Sequence, residues 1–159
     1  DVERQDVPLM REEVDLANIA MKADLELESV AFEKNVTLED DLPDRCMVTG
    51  NADYLLRIVI SLLENALKYE PSGGRVSIHL TQSKKKTVLS VCNRGSRIAD
   101  EDLPHVFDRF YRSDKSRTNS AGSFGLGLAI TKEMVERLGG TISVTSSQEE
   151  GTVFSVTFG

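Results

Sequence analysis

The chain has 159 residues, 40% apolar and 28% charged, enough for one globular domain with its own core and no need of a second. Its formal net charge of −7 excludes DNA, RNA or an anionic membrane face as the main partner, since those surfaces repel an acidic protein; any polyanion must meet a local basic patch. Cys46 and Cys92 lie far apart in apolar, strand-like runs and predict buried free thiols, and His79 and His105 offer no metal-ligand spacing and so no structural zinc.

No apolar run approaches the roughly 20 residues that cross a bilayer, and the acidic start is unlike a signal peptide, so the chain reads as soluble, cytosolic and a piece of something larger. Residues 1–11 lack periodicity and read as a linker stub; 12–159 read as the domain. From Glu12 to about Lys34, apolar residues at Leu16, Ile19, Ala20, Ala23, Leu27, Val30 and Ala31 keep the spacing of an amphipathic helix. Short strands are expected at Val36–Glu39 and Arg45–Thr49. Asn51 or Asp53 then caps a helix, Tyr54 to Tyr69, apolar enough to be buried on most sides and stopped by Pro71-Ser72-Gly73-Gly74.

Arg75–Gln82 and Thr87–Asn93 read as a hairpin around an exposed Lys84-Lys85-Lys86 turn, a solvated device against edge pairing. Residues 94–123 are mostly loop, a length that in a compact domain marks a functional lid or disorder. A helix from about Phe124 to Leu138 ends at Gly139-Gly140, and strands at Thr141–Ser146 and Thr152–Phe158 close the chain. Paired strands with helices between them predict an α/β fold, a two-layer sandwich with a mixed sheet of about five strands on about three helices.

The common phosphate loops are excluded. Gly125-Leu126-Gly127-Leu128-Ala129-Ile130 lacks the third glycine of a dinucleotide fingerprint, and no P-loop ending exists. Nothing has the spacing of a nucleophile elbow. What remains is an ordered set: "SLLENALKYE" (61–70), "CNRGSRI" (92–98), "VFDRFYR" (106–112) and "GSFGLGLAI" (122–130). In the first, Ser61, Asn65, Lys68 and Tyr69 share one helix face, with Glu64 beside it. The third and its tail carry Arg109, Arg112, Lys115 and Arg117, a cationic cluster in an acidic chain; on spacing alone it reads as a solvated charged loop, and only beside the other stretches does it suit a lid over a triphosphate. In the fourth, Gly122, Gly125 and Gly127 precede a helix and leave its N-terminal N–H groups open to phosphate.

Together these four stretches resemble the catalytic ATP-binding domain of two-component sensor histidine kinases, within the gyrase, chaperone and histidine-kinase ATPase superfamily and its Bergerat-type fold. The resemblance runs from about Val14 to Phe158. It implies ATP and Mg²⁺ as cofactors, with Asn65 holding Mg²⁺ through its side-chain oxygen, Lys68 meeting phosphate, Tyr69 near the adenosine and Arg112 on the γ-phosphate. Phe107 and Phe110 would anchor the lid, while Ser123 and the glycines take phosphate and Leu126 or Leu128 walls the adenine. In the second stretch Asn93, Gly95 and Ile98 occupy the adenine loop, which in the family usually reads Asp-x-Gly-x-Gly-Ile. Asn93 replaces the aspartate and keeps an acceptor for the adenine amine while adding a donor for a ring nitrogen. Arg97 replaces the second glycine, Ser61 a usual asparagine, and Phe124 lengthens the last loop.

The resemblance implies phosphoryl transfer to a histidine outside these residues, in an upstream dimerisation domain, for relay to a response regulator. The full-length protein would be a homodimer anchored in a bacterial inner or plasma membrane, with this domain cytoplasmic. Two rivals stand beside it: a serine kinase of the anti-sigma-factor type, and a non-catalytic pseudokinase acting as an interaction module.

Overall fold

The structure, a computed structural model, describes residues 9–109 and 123–159. In chain order it has strands β1 (Glu12–Asp15), β2 (Thr37–Asp41), β3 (Met47–Gly50), β4 (Arg75–Gln82), β5 (Thr87–Asn93), β6 (Thr141–Ser147) and β7 (Gly151–Phe158). Between them lie helices α1 (Leu16–Lys34), α2 (Ala52–Tyr69) and α3 (Ser123–Arg137), and a 3-10 turn at Leu103–His105. Five strands form one mixed sheet in the order β2-β4-β5-β7-β6, with β2 and β4 parallel and the other neighbours antiparallel. The helices cover one face of it, so the expected two-layer sandwich is what forms. No helix among the described residues is long and apolar enough to cross a membrane.

The predicted first helix is shorter at its start. Glu12 to Asp15 are a strand that pairs antiparallel with β3, Val14 opposite Val48, and the helix begins at Leu16. The apolar repeat also begins only there. Asp15 takes the cap: its Oδ1 accepts from the Ala17 N–H at 3.1 Å and from the Cys46 N–H at 2.9 Å. Val30, at the edge of the apolar stripe, is left 41% exposed. Upstream, Asn51 Nδ2 donates to the Met10 carbonyl and Arg11 donates to the carbonyl of Arg137 at the end of α3, so residues 9–11 lie against the domain.

Helix α2 is the centre of the core. Leu55, Ile58, Val59, Leu62, Leu63, Ala66 and Leu67 are buried, against Ile78, Leu89, Val91, Phe154 and Val156 from the sheet. Its last carbonyls are met from α1: Lys34 Nζ donates to Leu67 O and, at 2.9 Å, to Lys68 O. Burial, then the nearby Lys68 charge, pull the Lys34 pKa down.

On β5 the period-two alternation turns Thr87, Leu89, Val91 and Asn93 inward and leaves Val88, Ser90 and Cys92 facing outward. Both cysteines are free, as expected, but only Cys46 is buried; Cys92 shares the outward register and is half-buried. The same alternation carries Asn93, the last inward position, beneath the helical layer.

Candidate functional site

The helical spacing of α2 brings Ser61, Glu64, Asn65 and Lys68 to one side of an open cleft of about 210 Å³, and Gly127 and Leu128 of α3 form the other. Ser61 Oγ lies 2.7 Å from Thr131 Oγ1, which donates at 2.8 Å to the Gly127 carbonyl. The serine that stands in an asparagine position therefore ties the two helices across the cleft. The glycine stretch differs from expectation: α3 starts at Ser123, so Gly125 and Gly127 lie inside its first turns and not in a loop ahead of it. A Cβ built on Gly127 would meet no atom of the described residues within 4 Å, so this glycine leaves open room at the cleft. Gly122 and the side chains of Ser123, Gly125 and Leu126 lie outside the described ones, as do Phe110, Arg112 and the rest of the basic tail.

Other predicted positions lie outside the lining of this cleft. Tyr69 ends α2, with Lys68 Nζ 6.0 Å from its ring centre. Phe107 packs edge-on against Phe154, centroids 5.9 Å apart, which fixes the segment after the 3-10 turn to the core. Arg109 is not brought into the cleft; its guanidinium pairs at 3.3 Å with Glu133 on α3. Gly95 and Ile98 lie on the loop that leaves β5 at Asn93.

That loop is held by residues to which the sequence assigns no role. The Glu70 carboxylate, 3% exposed, accepts from the Gly95 N–H at 2.8 Å and from the Arg75 N–H at 3.0 Å. Ser146 Oγ accepts from the Ile98 N–H, and Thr152 Oγ1 donates to the Ser96 carbonyl. Asn93 is 2% exposed, and its Nδ2 has no hydrogen-bond partner among the described residues. Buried donors are seldom left so.

These features fit a nucleotide with its cation. A buried amide donor without a partner among the described residues suits a purine edge, and an open glycine position beside a lysine suits phosphate. Asn65 offers a hard side-chain oxygen of the kind Mg²⁺ takes when phosphates complete its shell.

A family model described as the histidine kinase-, DNA gyrase B- and HSP90-like ATPase matches residues 50–159, more than half of the chain. The chain belongs to this ATPase family. Within it the domain corresponds to the catalytic ATP-binding domain of sensor histidine kinases. It is 41% identical over 128 residues to the sensor histidine kinase WalK of Bacillus subtilis, covering 79% of this chain and 21% of that protein. It is 34% identical over 144 residues to the sensor-like histidine kinase SenX3 of Mycobacterium tuberculosis, covering 91% of this chain and 35% of the relative. The chain thus spans between about a fifth and a third of these relatives. The solved structure of the mycobacterial sensor histidine kinase MprB superposes with a TM-score of 0.77 at 30% identity, covering 94% of this chain and 97% of that one. The serine-kinase and non-catalytic readings gain nothing from these relatives.

Proposed function

We propose that the domain binds Mg²⁺-ATP in the cleft between α2 and α3 and supplies its γ-phosphoryl group to a histidine of a longer protein that contains it. The observation that carries this is the meeting of Asn65, Lys68 and Gly127 in one cleft; the Asn93 Nδ2 at the end of β5, buried and without a hydrogen-bond partner among the described residues, supports it. Asn65 would hold Mg²⁺, which when bound neutralises charge on the phosphates. Lys68 attracts phosphate as a mobile point charge, and Arg112, with its planar fork, is assigned the γ-phosphate. Asn93 reads the adenine edge. Transfer breaks the bond between the γ-phosphorus and its bridging oxygen, forms a phosphorus–nitrogen bond on the acceptor imidazole and releases ADP; positioning supplies most of the rate.

The acceptor lies outside these residues. His79 is paired with Asp41 on the edge of the sheet and His105 with Asp108, and neither lines the cleft. Residues 1–11 are read as the join to an upstream dimerisation domain carrying that histidine, and 12–159 as the catalytic domain. The full-length protein is read as a membrane-anchored homodimer with this domain cytoplasmic, passing the phosphoryl group to a response regulator.

Calorimetric titration with Mg²⁺-ATP tests the nucleotide reading. Asn93→Ala is expected to weaken binding about 10- to 100-fold, the loss of one or two buried hydrogen bonds. Arg112→Ala should weaken ATP more than ADP. No heat of binding at millimolar nucleotide, or equal losses for both nucleotides on changing Arg112, would count against the respective assignments. Radiolabelled phosphate appearing on this chain alone would sink the placement of the acceptor.

A further inference from the structure

A glutamate at the end of a helix sits where the backbone dipole is negative, and full burial deprives it of water; both disfavour a carboxylate. Glu70 does both. It follows the last residue of α2 directly and is 3% exposed, yet each of its two oxygens accepts a backbone N–H, Gly95 through Oε1 and Arg75 through Oε2. Lys34 of α1, which donates to the last carbonyls of α2, is close enough to feel its charge. The surroundings are shaped to admit it: a Cβ on Gly74 would fall 2.0 Å from Oε2, and one on Gly95 would fall 3.0 Å from it and 2.9 Å from Pro71 Cδ. Gly95 does not have a positive φ, so closeness to Glu70 and Pro71 is what asks for glycine there.

The opposite side of the same loop is equally confined. Gly151, with φ of +75°, approaches so near that a Cβ would lie 2.3 Å from the Asn93 carbonyl oxygen. Thr152 Oγ1 donates to Ser96 O at 3.0 Å and shares a 2.9 Å contact with Ser146, whose hydroxyl takes the Ile98 N–H at 2.8 Å. Residues 93–98 are thus gripped between the end of α2 and the β6–β7 hairpin, with the Asn93 amide held buried at their head.

We propose that Glu70 is a positioning residue of the nucleotide site: its carboxylate ties the helix that carries Asn65 and Lys68 to the loop that carries Asn93, and so sets the base-reading group at a fixed offset from the phosphate-reading ones. This rests on the reading of Asn93 as the adenine contact. Glutamine in its place can accept from only one of the two N–H groups, since its other terminal atom is itself a donor.

The test is a double-mutant cycle on ATP affinity in this chain, with Glu70→Gln, Asn93→Ala and the pair. Glu70→Gln is expected to weaken ATP about 10-fold, and the pair to bind within about twofold of Asn93→Ala alone, because Glu70 acts through Asn93. A residue that served only the fold would give losses that add. Additive losses, or no loss on changing Glu70 while Asn93→Ala weakens ATP, overturn the proposal and leave the nucleotide reading intact. No loss with Asn93→Ala overturns the adenine assignment itself and this proposal with it. If circular dichroism shows Glu70→Gln unfolded, Thr152→Val, on the far side of the same loop, is put through the same cycle. Additivity there, or unchanged affinity, counts against the positioned loop in the same way.

Discussion

Arg97 stands in a glycine position of the family pattern without strain, because its backbone is outside the left-handed region and its guanidinium turns to Asp100 at 3.1 Å, half-exposed. Among the described residues Asn35, at the end of α1, is the only non-glycine with a positive φ. The loop therefore accepts a long side chain by pointing it along its own surface. Asn93 is the opposite case, a polar group confined by its strand register with a donor left without a partner among the described residues, which a ligand with a matching acceptor would satisfy. A third residue shows the same tension through charge. Asp24 on α1 is half-buried, and burial, then a hydrogen bond and repulsion from Asp40 and repulsion from Glu28, raise its pKa from 3.8 to about 7. An acid whose folded pKa is raised costs no stability while protonated in both states. The cost grows as pH climbs from 3.8 toward about 7 and is complete above it. Solvent screening at a half-exposed site cuts the effect to about 1 kcal/mol. Asp24→Asn should accordingly raise the melting temperature by roughly 2–4 °C at pH 8 and hardly at pH 4. An equal shift at both pH values would point to packing and not to charge.

At the scale of elements, α1 shows how one side chain decides a boundary. Asp15 caps the helix and also receives the Cys46 N–H, so it joins the helix start to the segment entering β3, and Leu16 N donates to Cys46 O beside it. Asp15→Ala removes the cap and orphans a second donor, an expected loss of about 2 kcal/mol. Urea denaturation should show a lower midpoint with an unchanged slope; a midpoint within error of the parent would contradict this. Elements whose pattern is local were legible: β4 and β5 run over the expected residues because alternation and the lysine turn are written in consecutive positions. Strand β1 was not, since its four residues, two of them glutamates, become a strand only by pairing with β3, more than 30 residues on. The site divides in the same way. Asn65 and Lys68 are legible together because three- and four-residue spacing on one helix puts them on one face. Glu70, Ser146 and Thr152 are not, because their partners in the loop after β5 lie 25, 48 and 56 residues away. Arg109 had the right composition for a lid but found Glu133 on α3, an acid no local pattern connects to it.

For the whole molecule, the decisive feature is that α2 serves the core and the cleft at once. Leu62, Leu63 and Leu67 fill the space over the sheet while Ser61, Asn65 and Lys68, one turn apart on the other side, border the cleft. Lys34 and Glu70 then lock the end of this helix to α1 and to the loop after β5. A ligand that bridges these parts binds only the folded chain, so occupancy must appear as global stability. At 100 times the dissociation constant the gain is about 2.7 kcal/mol. For a domain of this size, that raises the melting temperature by roughly 5–10 °C. Asn93→Ala at the same Mg²⁺-ATP concentration should show less than about half of that shift, because its weaker affinity leaves less excess ligand. Leu63→Ala separates the two roles of the helix: it opens a cavity in the core at a cost of about 2–5 kcal/mol and lowers the nucleotide-free melting temperature, yet should keep most of the nucleotide-induced rise. Differential scanning fluorimetry of the three proteins with and without Mg²⁺-ATP decides it. A rise of equal size in Asn93→Ala and the parent would remove the adenine loop from the binding energetics, and a rise abolished by Leu63→Ala in a still-folded protein would mean that core and cleft are not separable on α2.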